Sequence, residues 1–264
     1  MREEREDFSI LSERIDIFEK KFKLLERFTN FKEIDFKELL SIRGFKDFTF
    51  KEPQDIGASH IFNELSKYYI RRLLSDFYVY KILEKGEVLN LCSKWKVEKS
   101  FLDQLLEGGV LSRETNGYSV GYDFDLLVES FIARFLKERF NIESILNVKL
   151  KELKNGGDID ILGKWKLELL IIELKESPPN NISLTDLKIT FERFRNIKPD
   201  LFILLIDTTL SIKRNILDNL SITYGISPAK LREGVYKIYE NAFVVTAKRD
   251  MLSNIGYVIE RKFL

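Results

Sequence analysis

Residues 156–175 read Gly-Gly-Asp-Ile-Asp-Ile-Leu-Gly-Lys-Trp-Lys-Leu-Glu-Leu-Leu-Ile-Ile-Glu-Leu-Lys. Two apolar segments carry Asp158, Asp160, Glu173 and Lys175, with a short polar stretch between them. Side chains alternate faces along a strand, so Asp158 and Asp160 are expected on one face, Ile159 and Ile161 on the other, and Glu173 and Lys175 together. A hairpin folded around Gly163-Lys164-Trp165-Lys166 would bring two or three carboxylates and one ammonium to the middle of a sheet of Leu and Ile. Burying such a cluster is costly unless the charges are used. Carboxylate oxygens at this spacing suit a hard divalent cation such as Mg²⁺ or Mn²⁺, beside which a lysine can position a water or stabilise charge on a phosphate.

The pattern Asp160, twelve residues, then Glu173-Leu174-Lys175 resembles the core of the PD-(D/E)XK nuclease superfamily, which includes many restriction endonucleases and Holliday-junction resolvases. The resemblance implies that Asp160 and Glu173 are metal ligands and Lys175 the catalytic lysine. Asp158 matches a position that is often acidic in the family. Gly156-Gly157 stands where the family name has its proline. The motif covers about twenty residues, so its surroundings must support it.

Upstream, residues 123–140 form an amphipathic helix by spacing, with Leu127, Phe131, Phe135, Leu136 and Phe140 on adjoining stripes and Asp123 or Asp125 able to cap the first turn. The family places such a helix before the hairpin, often with one Glu directed at the metal, which makes Glu129 the fourth candidate, with Ala133 allowing close approach to the sheet. Downstream, after Pro178-Pro179, a helix is expected from about Leu184 to Asn196 and a doubly buried strand over Leu201–Ile206. With Ile145–Leu150 as a first strand, the order is α-β-β-β-α-β. Two short strands are expected between Val235 and Lys248, and a closing helix over Met251–Leu264. Lys188, Arg193 and Arg195 could meet phosphates, or form a solvated face with Asp186 and Glu192.

The fold class expected is α/β: a restriction-endonuclease-like mixed sheet flanked by helices, preceded by helical and winged-helix parts. Three regions follow: 1–70 helical, 71–122 winged helix-turn-helix-like, and 123–264 nuclease-like. In the first, Leu11–Phe31 carries Ile15, Phe18, Phe22 and Leu25 at helical spacing, Asn63–Leu74 reads as helix, and Glu52-Pro53-Gln54-Asp55-Ile56-Gly57 reads as a loop. In the second, Phe77, Tyr80, Ile82 and Leu83 suggest one helix, Glu87–Trp95 another, and Lys99–Leu106 a third ended by Gly108-Gly109. A hairpin follows from Val110 to Val120, with Asn116-Gly117 suited to a type I′ turn. Glu98, Asp103 and Glu107 make the third helix net acidic, which opposes phosphate contact. Lys94, Lys96, Lys99 and Arg113 leave a backbone contact open, and a protein partner is an equal use of this module.

A formal charge of +1 confines any nucleic-acid contact to local patches. One cysteine, Cys92, excludes an internal disulfide and a cysteine-built metal centre, and one histidine, His60, excludes histidine triads. No signal peptide, membrane span or Walker loop is evident, so a cytoplasmic protein without its own ATPase is expected. The 32% of charged residues, with only Gln54 and Gln104 as glutamines, is a bias seen in thermophiles. The function expected is a divalent-metal-dependent nuclease with DNA favoured over RNA, acting as a homodimer. The alternative is a non-catalytic nucleic-acid-binding or scaffold protein that keeps the nuclease fold.

Overall fold

A computed structural model describes residues 15–22, 34–54, 59–98, 100–153 and 157–263. Within the expected helix Leu11–Phe31, residues 15–22 (α1) are helical. The remainder of that segment, Asp55–Gly57 of the loop, Lys99, Gly156 and Leu264 lie outside the described residues.

The sheet has eight strands. β1 (Phe48–Lys51), β5 (Glu143–Leu150), β6 (Ile159–Trp165), β7 (Glu168–Lys175), β8 (Leu201–Ile206), β9 (Ala229–Arg232), β10 (Val235–Tyr239) and β11 (Ala242–Thr246) lie in the order β1-β5-β6-β7-β8-β11-β10-β9. The β7–β8 and β8–β11 pairings are parallel and the others antiparallel. β8 lies inside the sheet and every one of its residues is buried, as its unbroken apolar run requires.

Helices cover both faces, giving a mixed α/β fold. On one face α7 (Phe124–Phe140) and α10 (Met251–Phe263) pack on Leu170, Ile172 and Leu174, and this core continues into the helices of the preceding region. On the other, α2 (Phe36–Ser41) and α8 (Leu184–Ile197) pack on Leu169 and Ile171. The α-β-β-β-α-β order is present as α7-β5-β6-β7-α8-β8. No helix among the described residues is long and apolar enough to cross a membrane.

Before α7 lie α3 (Ser59–Leu65), α4 (Tyr68–Tyr80), β2 (Ile82–Glu84), α5 (Lys85–Trp95), α6 (Ser100–Glu107), β3 (Leu111–Glu114) and β4 (Gly117–Val120), the three strands forming a sheet in the order β2-β4-β3. Helix α4 runs unbroken through residues 70 and 71. Ile82 and Leu83 are strand, not helix. Leu83 faces the core while Ile82 and Glu84 stay exposed, an alternation too short to be conspicuous. The hairpin turn is centred on Thr115-Asn116, since Glu114 pairs with Gly117. Neither Asn116 nor Gly117 has positive φ, so the turn is not type I′. Gly117 is glycine for another reason: a Cβ there would overlap the Leu83 carbonyl oxygen of the neighbouring strand.

Candidate active site

The β6–β7 hairpin turns at Lys166-Leu167, with Lys166 left-handed at φ 55°, later than the Gly163–Lys166 centre expected from sequence. Gly163 stays in the strand, where a Cβ would stand 3.0 Å from Ile142 and 3.3 Å from Leu170, so its missing side chain serves packing. The turn fixes the pairs Trp165↔Glu168 through Ile161↔Ile172. One step further along this register, Asp160 comes opposite Glu173, and its Oδ2 accepts a hydrogen bond from the Leu174 amide at 2.5 Å.

Of the two aspartates expected on one strand face, Asp160 lies in β6 and Asp158 just before it, since β6 begins at Ile159. The Asp158 carboxylate lies 3.5 Å from the exposed Lys149 ammonium. Ile159 and Ile161 also part company. Ile161 joins the core under α7 and Ile159 the core under α8, as do their partners Leu146 and Val148. The alternation of both strands therefore fails between these pairs, at Asp160 and at Asn147, whose φ is 49°. Left-handed backbone is easiest for Gly and Asn. The irregularity lets Asn147 Nδ2 donate to Glu129 Oε2 at 2.6 Å.

Glu129 sits mid-way along α7, whose N-terminus is capped by the Asp123 side chain accepting from the Asp125 and Leu126 amides. Only 3% exposed, Glu129 has its carboxyl pushed up to about 9, first by burial and then by Asp160 and Asp125, with the Asn147 hydrogen bond opposing. Glu173 is fully buried, and burial followed by Asp160 raises it to about 8, against the pull of Arg193 and Lys175. Burial also raises Asp160, opposed by Lys175, the Leu174 amide and Arg193.

Asp160, Glu129 and Lys175 line a cleft of about 270 Å³ together with Asp125, Glu176 and Asp186, so five carboxyls face one ammonium. Glu173 and Asp158 are not among the lining residues. Sequence reasoning passed over Glu176, whose carboxyl burial raises well above its ordinary range and whose Oε1 is buried without a partner. It also treated Arg193 as a surface cation. The guanidinium is 7% exposed, and Nη2 donates to Glu173 Oε2 at 2.7 Å while Nη1 donates to the Asp158 carbonyl at 2.7 Å. Its spacing held the signal: Arg193 falls three residues after Thr190 and four before Ile197, both on the buried stripe of α8. Lys188 and Arg195 are exposed, and Arg195 stacks over the Tyr224 ring at 5.2 Å.

The donor set suits a hard cation: only oxygens, more carboxyls than cations, and two buried carboxyl oxygens, Glu173 Oε1 and Glu176 Oε1, with no hydrogen-bond partner. Among the described residues, however, no three His, Cys, Asp or Glu side chains are already gathered for chelation.

No family model and no curated protein matches the chain. Among solved structures, protein VC1899 from Vibrio cholerae aligns with a TM-score of 0.51 at 14% identity, covering 87% of this chain and 62% of its own. Can2 from Sulfobacillus thermosulfidooxidans, solved in complex with cyclic tetra-adenylate, aligns with a TM-score of 0.47 at 14% identity, covering 86% and 59%. The chain thus spans about three fifths of the length of either. The likeness to VC1899 is one of fold.

Proposed function

We propose that this chain is a divalent-metal-dependent nuclease of the PD-(D/E)XK type, hydrolysing phosphodiester bonds in DNA. The supporting observation is the register that sets Asp160 against Glu173, with Asp160, Lys175 and, from α7, Glu129 lining one acidic cleft. Asp160, Glu173 and Glu129 are the residues that would hold Mg²⁺ or Mn²⁺; Asp158, paired with Lys149, is the weakest of the four candidates. When bound, the ion supplies Lewis-acid polarisation of the phosphate and neutralises charge on the leaving oxygen. Lys175 is the one ammonium among the cleft-lining residues, and it orients the attacking water and offsets charge on the non-bridging phosphate oxygens. Burial of Glu129 and Glu173 keeps bulk water away from their oxygens and stores protons that ligation would release.

The test is cleavage of labelled single-stranded, duplex and branched DNA with Mg²⁺ or Mn²⁺, beside Lys175→Ala. Cutting should disappear in the variant while DNA binding persists; a variant that still cuts removes Lys175 from the mechanism. One observation favours a second reading, a nucleic-acid-binding protein without catalysis: Arg193 already places a fixed positive charge on Glu173. Metal-independent retention of DNA with no cleavage by the wild-type chain would establish it.

A further inference from the structure

We propose that Arg193 is a positioning residue that holds Glu173 by one oxygen, so that the other is presented for a divalent cation, and that Gly157 is present to admit it. The inference rests on the metal-binding part of the function proposed above. It does not require that the chain cut DNA.

Arg193 occupies a place on α8 where an apolar side chain would pack beside Leu187 and Phe191. Burying a guanidinium there carries a desolvation penalty that a single ion pair offsets poorly. The pair is also incompletely satisfied, since Arg193 Nε and Glu173 Oε1 are both buried without partners. Stability alone therefore gives a weak reason for the arrangement. Its geometry gives a better one. The fork spans two segments, taking Glu173 Oε2 on β7 with Nη2 and the Asp158 carbonyl, just before β6, with Nη1. Glu173 and the chain leading to Asp160 are thereby fixed to one rigid group, and with them the separation of the two proposed ligands. With Oε2 held at 2.7 Å, the Glu173 carboxylate is tethered on that side and Oε1 is left buried without a hydrogen-bond partner.

Gly157 supplies an independent observation. Its φ of 89° is strained for any residue with a side chain, and a Cβ there would stand 2.8 Å from Arg193 Nη1. The glycine clears the space that the guanidinium fills. Partners that orient metal ligands without touching the metal typically change its affinity by about 10- to 100-fold when removed.

The experiment measures Mn²⁺ affinity by calorimetry on the full chain for wild type, Arg193→Gln, Arg193→Lys, Gly157→Ala and the Arg193→Gln/Gly157→Ala double variant, with a thermal melt of each. Arg193→Gln and Gly157→Ala should each weaken Mn²⁺ on the order of tenfold or more. Arg193→Lys should recover only part of the loss, because one ammonium does not reproduce the planar fork. In Mn²⁺ affinity the double variant should be no worse than the weaker single one, since both changes break the same contact, while the strain of a side chain at φ 89° shows separately in its melt. If Arg193→Gln melts too early to measure, Gly157→Ala and Arg193→Lys decide. Unchanged affinity in a folded Gly157→Ala chain overturns the proposal, as does tighter binding in Arg193→Gln, which would make Arg193 a competitor of the cation. A wild-type chain that binds no Mn²⁺ overturns it as well. A wild-type chain that binds Mn²⁺, loses it in both variants and cuts no DNA upholds the positioning role while refuting the nuclease.

Discussion

Among the described residues, two buried arginine–carboxylate pairs, Arg71–Asp207 and Arg193–Glu173, lie near Lys175, and they are built to opposite standards. Arg71 on α4 meets Asp207 through Nε at 2.8 Å and Nη2 at 2.7 Å, and its Nη1 donates to the carbonyls of Leu65 and Ser66. Asp207 follows β8, and its amide donates to the Lys175 carbonyl at 2.9 Å. Arg193 meets Glu173 through one nitrogen and leaves an unpartnered donor and an unpartnered acceptor in the interior. The first is a bolt between the helical region and the ends of β7 and β8. Arg72, next along α4, adds a bond to the Glu176 carbonyl at 3.1 Å. The second retains unmet bonding capacity beside an acidic cleft, which a fold selected for stability alone would remove.

The sharpest break between the pairs is to delete each arginine. Arg71→Ala strands the Asp207 carboxylate, 4% exposed, and should cost about 3–5 kcal/mol, the range for losing one partner of a buried pair. Arg193→Ala should cost less, on the order of 1–3 kcal/mol, because Glu173, raised to about 8 even with Arg193 beside it, already holds a proton near neutral pH and is not left as a bare buried charge. Urea midpoints at pH 7 decide the ranking. Equal losses would mean that both pairs are structural, and a loss below about 1 kcal/mol for Arg71→Ala would mean that Asp207 finds water or a new donor. Arg71→Met with Asp207→Leu should regain most of the stability, whereas no apolar replacement of Glu173 and Arg193 should preserve metal binding.

The strands and helices that carry the contrast were legible where one period ran long enough. Leu201–Ile206, α7, α8 and the acidic spacing of the hairpin all declare themselves. Edge strands such as β1 and β9, four residues each, carry too few alternations to be seen. Glycine misled twice, because Gly163 and Gly117 serve close approach between strands, and local sequence does not distinguish that use from a turn. Asp158 and Asp160 are alike in composition and separated only by where β6 begins. Arg193 was hidden by the opposite error: its charge suggested a surface, while its spacing on α8 placed it inside.

The mildest probe of the comparison is proton occupancy. Glu173 and Glu129 have folded values of about 8 and about 9, above the roughly 4.3 of a free glutamate. The native chain thus holds protons that the unfolded chain has released. The stability this contributes is whole below about pH 4.3 and falls as pH rises, vanishing through 8 and then 9. Urea denaturation at constant ionic strength should show stability dropping by up to about 3–4 kcal/mol between pH 7 and pH 9. Glu129→Gln, which cannot ionise and keeps the shape, should flatten the upper part of that slope. A wild-type profile flat from pH 7 to 9 would show the cleft wet enough for both carboxyls to titrate normally. Saturating Mg²⁺ should flatten the slope too, because a cation that draws these oxygens together displaces their protons at every pH where it binds. A slope indifferent to Mg²⁺ would separate the stored protons from the proposed metal site, leaving the contrast between the two pairs one of packing rather than of chemistry.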